Sequence, residues 1–146
     1  MREIKFRVWE YKDKKMYEVI TIRYKLQTDT ALDISQCVFV SLLGKPGIKY
    51  NIKAMPSEIS FMQYTGLKDK NGKEIYEKDI IQCRKPLSKK DDKYLIAEIL
   101  EMGYEALKVR DNSNHRYPMR EQIMPFYYPY KVIGNIYENP ELMETE

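Results

Sequence analysis

The chain has 146 residues, of which 43% are hydrophobic and 32% charged, and its net charge is +3. A chain of this size suits one domain, or one domain with a sizeable extra layer. It buries roughly two thirds of its unfolded surface, and its composition excludes long disorder. Two cysteines without a CxxC pair and a single histidine argue against zinc, and the longest apolar cluster, Val38 to Leu43, is far too short to span a bilayer.

In chain order, Ile4, Phe6 and Val8 alternate with Lys5, Arg7 and Trp9, which predicts a strand with one apolar face. The polar turn Tyr11–Lys15 and a β-type run from Met16 to Ile22 complete a hairpin, with Trp9 expected in core packing. Leu26 to Ser35 is ambiguous. Cys37 to Leu43 reads as a strand ended by the turn Gly44-Lys45-Pro46-Gly47, and Ile48 to Lys53 as another, ended by Pro56. The expected division is an N-terminal β-rich region, 1–58, and a C-terminal β unit, 59–146.

In the second region Phe61 to Thr65 is a predicted strand. Asn71-Gly72 is the pair favoured in type I′ turns, where both central residues need positive φ. Lys73 to Tyr76, Asp79 to Arg84, Tyr94 to Glu101, Tyr104 to Val109 and Tyr130 to Tyr137 follow as strands. Pro86–Lys93 and Asp111–Tyr117 read as polar loops. Asn139-Pro140 predicts a helix start, with Asn139 as N-cap and Glu141 and Glu144 suited to its positive end. Short strands with turns every eight to twelve residues predict a mainly β fold, a small barrel or sandwich. The N-terminus lacks a hydrophobic signal segment, so the cytoplasm is the expected compartment, with Cys37 and Cys83 as reduced thiols and a disulfide between them left open.

Three blocks carry a resemblance. Met1-Arg2-Glu3-Ile4-Lys5-Phe6-Arg7 with Trp9, the stretch from Gln63 to Glu77 that contains Tyr64-Thr65-Gly66-Leu67 and Asn71-Gly72, and the ending Val132-Ile133-Gly134-Asn135-Ile136-Tyr137-Glu138-Asn139-Pro140-Glu141-Leu142 occur in an order that resembles the YopX family. These are small proteins encoded by bacteriophages and prophages, so the resemblance implies a bacterial host cytoplasm. It also implies a C-terminal domain, 59–146, similar to SH3-type β barrels; the strand pattern read above adds an N-terminal β-hairpin layer packed with it and few short helices. It implies no activity, cofactor or catalytic residue. In one respect the chain departs from the pattern. Lys78 stands between Glu77 and Asp79 where the family carries glycine, and a left-handed lysine there costs roughly 1 kcal/mol.

The residues themselves offer little chemistry. His115 lies in a polar loop near Ser113, without a nucleophile motif around it. Glu74, Glu77 and Asp79 cluster at the central bend, where turn stabilisation explains them more simply than acid-base work or Mg²⁺ binding. Asp69-Lys70-Asn71-Gly72 fails as a calcium loop, because the first and last ligand positions fall on Leu67 and Lys78. No metal, cofactor or catalytic residue is therefore expected, and the chain reads as a binding module, not an enzyme. Two contact surfaces are candidates. Phe126, Tyr127, Tyr128 and Tyr130 form an aromatic run suited to self-association or to a host or phage protein, and equally suited to covering the core. Lys68, Lys70, Lys73, Lys85, Lys89 and Lys90, interleaved with Tyr64 and Tyr76 as stacking rings, suit nucleic acid, although Asp69, Glu74, Glu77, Asp79, Asp91 and Asp92 oppose most of the charge of the wider basic set that also includes Lys78, Arg84 and Lys93. Self-association is the leading expectation, nucleic acid the alternative, and no membrane role is expected.

Overall fold

Alternating apolar and polar residues, broken by glycine, proline and asparagine, give short strands that pair with sequence neighbours. The computed structural model describes residues 3–24, 38–43, 49–54, 57–84, 94–102, 106–111, 120–125 and 129–144. They form eleven strands: β1 (Phe6–Glu10), β2 (Lys15–Tyr24), β3 (Val38–Leu43), β4 (Lys49–Ala54), β5 (Ile59–Lys68), β6 (Glu74–Tyr76), β7 (Asp79–Arg84), β8 (Tyr94–Met102), β9 (Ala106–Asp111), β10 (Arg120–Pro125) and β11 (Lys131–Asn135). A 3-10 helix, Pro140–Met143, is the one helix among the described residues, and it is too short to cross a membrane. The expectation of a mainly β chain holds.

The chain divides into two compact units. One is Ile4–Gln63, and the other is Tyr64–Glu146 with Met1–Glu3. The division falls within β5, a few residues after the expected boundary at 58/59.

In the first unit all pairing is antiparallel, in the order β4-β3-β2-β1-β5. β1 lies between β2, its hairpin partner, and β5, so that Val8 faces Tyr17 on one side and Phe61 on the other. A bulge between Val19 and Thr21 interrupts the β2–β3 register. Val8, Ala54 and Ile59 form the core, covered by Tyr17, Val19, Ile22 and Phe61. Phe6 meets Phe61 edge-on at 6.2 Å. Trp9 is buried, as expected.

In the second unit the end of β5 pairs with β6, and β10-β9-β8-β7-β11 form a five-stranded antiparallel sheet. Ile75, Ile81, Cys83, Ala97, Ile99, Val109, Tyr130 and Val132 make its core, with Leu67 packed against them. Cys83 is buried in this core; Cys37 lies outside the described residues.

Closure into a barrel is corrected by this order. β10 and β11 are the two edges, and the sheet is open among the described residues. The physical reason at the β11 edge is that a turn, not a strand, takes its hydrogen bonds. Lys70 N–H donates to the Tyr130 carbonyl at 2.9 Å, and Val132 N–H donates to Asp69 Oδ2 at 3.0 Å. Covering an edge this way removes a template for unwanted strand pairing.

Candidate nucleic-acid interface

The turn between β5 and β6 is organised by one carboxylate. Asp69 Oδ1 accepts from Asn71 N–H at 2.8 Å and Lys73 N–H at 2.9 Å, while Oδ2 reaches Val132 as above. Gly72 N–H donates to the Asp69 carbonyl at 2.9 Å, closing a four-residue turn, and Asp69 N–H donates to the Lys73 carbonyl at 2.8 Å. Gly72 has φ +81°, but Asn71 is not in the positive-φ region, so the type I′ expectation is corrected to a type I turn ended by a left-handed glycine. Burial works against the charge on Asp69, but three backbone donors, with Lys73 nearby, outweigh it and hold the carboxyl below its ordinary 3.8.

Around this buried aspartate the lysines point out. Lys68, Lys70 and Lys73 are all exposed. The structure adds Lys131, also exposed, which lies between Tyr130 and Val132, the residues whose backbone groups hold the turn. Sequence reasoning missed it, although the alternation of buried Tyr130, exposed Lys131 and buried Val132 carries the signal. The acids that oppose these lysines in sequence are not equivalent in space. Asp69 is 7% exposed, and Asp79 is 1% exposed, with Oδ2 accepting from Tyr76 N–H at 2.8 Å. Glu74 is half-buried and accepts from the Tyr76 hydroxyl at 2.9 Å.

Two expectations are corrected by burial. Tyr64 and Tyr76 are not stacking rings for bases. Each is 5% exposed, and they pack on one another with centroids 5.4 Å apart. Tyr130 is not a contact residue, because at 3% exposure it belongs to the core. Phe126, Tyr127 and Tyr128, together with Lys85, Lys89, Lys90, Ser113 and His115, lie outside the described residues. Among the described residues no group of three or more His, Cys, Asp or Glu side chains is arranged to hold a metal.

The other residues of the blocks that carry the resemblance build frame. Thr65 is fully buried, donating to the Ile75 carbonyl at 2.7 Å and accepting from Leu67 N–H at 3.2 Å. Asn135 Oδ1 accepts from Tyr137 N–H at 3.0 Å and Glu138 N–H at 2.9 Å, and Nδ2 donates to Glu138 Oε2 at 2.6 Å. Lys78 has φ +66°; its N–H donates to the Ile99 carbonyl at 2.6 Å, and its carbonyl accepts from Ile136 N–H at 3.1 Å. Its Nζ donates to the Tyr137 hydroxyl at 3.0 Å and lies 5.6 Å from that ring's centre. Glu98 sits 3.6 Å from Arg110. Burial pushes the Glu98 carboxyl up, against the opposing pull of Arg110 and Lys78. Asn139 occupies the N-cap position of the 3-10 helix, but its side chain makes no capping bond; its N–H donates to the Asn135 carbonyl at 2.9 Å.

Comparison with solved structures places two proteins beside this chain. The protein EF1440 of Enterococcus faecalis is 26% identical, with a TM-score of 0.55, over 99% of this chain and 100% of that one. The protein yopX of Bacillus subtilis is 18% identical, with a TM-score of 0.53, over 96% of this chain and 98% of that one. A search of curated proteins gives no match. The family model described as YopX protein matches residues 5–144, nearly the whole chain, and the protein belongs to the YopX family.

Proposed function

We propose that this protein is a phage or prophage accessory protein of the bacterial cytoplasm, a non-catalytic module that binds nucleic acid through the β5–β6 turn and the start of β11. One observation carries the reading: Asp69 and Asp79 face inward onto backbone N–H groups, while Lys68, Lys70, Lys73 and Lys131 face solvent. The sequence had set these acids against the lysines; with both carboxylates tied to backbone donors, the groups left facing solvent at the turn are the ammoniums. A polyanion gains from such a face because each lysine on a phosphate releases condensed counterions.

The experiment is fluorescence anisotropy of labelled DNA at increasing salt. Binding whose logarithm falls steeply with log salt, and which weakens when Lys68, Lys70 and Lys73 are all changed to Gln, supports the proposal. A flat salt response, or no binding at low salt, overturns it.

A second reading, self-association, has its own support. Phe126, Tyr127 and Tyr128 follow directly on β10, an edge strand of the open sheet, and edges are ready sites for another copy of the chain.

A further inference from the structure

We infer that the lysine turn reads the backbone phosphates of duplex nucleic acid without regard to sequence, with Lys131 as its fourth phosphate contact; this rests on the nucleic-acid reading above. Preference for single strands needs rings on which bases stack. The two tyrosines within the turn's own strands are unavailable for that, since Tyr64 and Tyr76 are buried against each other and the Tyr76 hydroxyl is bonded to Glu74. What the site presents instead is ammonium groups, which act as point charges and carry no planar fork for base edges. Asn71 is the exposed amide at the tip. Its backbone N–H is held by Asp69, and a single amide can read no more than one base pair of a site.

The turn is also held before any ligand arrives. Four hydrogen bonds accepted by Asp69, one donated by its N–H to the Lys73 carbonyl and one from Lys70 N–H to the Tyr130 carbonyl set its backbone against the start of β11. The backbone positions of the four lysines are therefore fixed at little ordering cost on binding, which suits the regular phosphate array of a duplex. Lys131 belongs to this set by construction. Tyr130 and Val132, on either side of it, are the residues whose backbone groups the turn grips.

The test uses the full chain, two unrelated labelled duplexes of about two helical turns, and their separated strands, each titrated across roughly 50 to 200 mM salt. Expected are near-equal affinities for the two duplexes, weaker binding of the single strands, and a log–log salt slope of about −3 to −4. Lys131→Gln should reduce that slope by about 1, as Lys70→Gln does, and Asn71→Ala should leave it unchanged. Circular dichroism of each variant confirms that the fold is kept. If no nucleic acid binds at all, both this inference and the function proposed above fall. If DNA binds but one duplex sequence or the single strand is preferred, or if Lys131→Gln leaves the slope intact, the proposed function stands and this inference is overturned.

Discussion

Gly134 and Asp69 show how single residues of the matching blocks act through the backbone. A Cβ on Gly134 would lie 2.8 Å from Asn139 Cγ and 3.0 Å from Asn139 Cβ, and Asn139 is itself tied back to Asn135. Gly134→Ala is thus an overpacking change, expected to cost about 1–3 kcal/mol in urea unfolding. Adding Asn139→Gly should recover part of that loss, as a double-mutant cycle would detect; a wild-type midpoint for Gly134→Ala would refute the close approach. Asp69 makes a different prediction, in pH. Its folded carboxyl titrates below 3.8, so near and below that value the unfolded chain binds more protons and stability rises with pH. The contribution is present above the unfolded pKa and is lost as pH falls through the lower folded one. Asp69→Asn should cost about 1–3 kcal/mol at neutral pH, because an amide nitrogen then faces one of the three N–H donors. It should also flatten the acid limb of the stability curve, and a variant with the wild-type acid limb would show that Asp69 is not its source.

The turn joining β6 to β7 is the clearest case at the scale of elements. Departure from the family's glycine puts lysine at φ +66°, yet the position cannot relax, because β8 holds its N–H and Ile136 holds its carbonyl. Lys78→Gly relieves about 1 kcal/mol of strain but loses the Tyr137 contact and adds unfolded-state freedom, so its stability should lie within about 1 kcal/mol of wild type. Lys78→Val should cost about 2 kcal/mol or more, since a β-branched side chain is worse in that region; equal melting of the valine and glycine variants would contradict this. The bend was legible because Tyr76-Glu77-Lys78-Asp79 is flanked by β-type runs, and the left-handed conformation because glycine stands there in the family. β10 was not legible. Arg120, Glu121, Gln122 and Pro125 have poor strand propensity, and only pairing with β9 at the edge of the sheet, where polar residues and proline are tolerated, makes them a strand.

Across the whole molecule, local pattern located most strands, but it carried no information about which distant strands pair. That β1 lies beside β5, and that the β11 edge takes a turn in place of a strand, depend on contacts between residues more than fifty positions apart. The same gap explains the candidate surfaces. Tyr130 and Tyr64 look like contact residues in sequence because tyrosine serves cores and interfaces alike, whereas Lys131 comes beside the lysine turn only once Lys70 N–H is bonded to the Tyr130 carbonyl. Self-association is argued at this scale, since it needs an open edge and a hydrophobic run together. β10 ends at Pro125, the aromatic run begins at Phe126 in the sequence, and among the described residues β10 pairs with β9 alone in its sheet. If copies join there, replacing Tyr127 and Tyr128 by Ser should lower the mass seen by light scattering while the unfolding midpoint of the chain changes little. Because Tyr130 is core, Tyr130→Ser should instead destabilise the second unit, by about 3 kcal/mol on the scale of large aromatic truncations. An unchanged mass for the double serine variant would overturn self-association through the aromatic run.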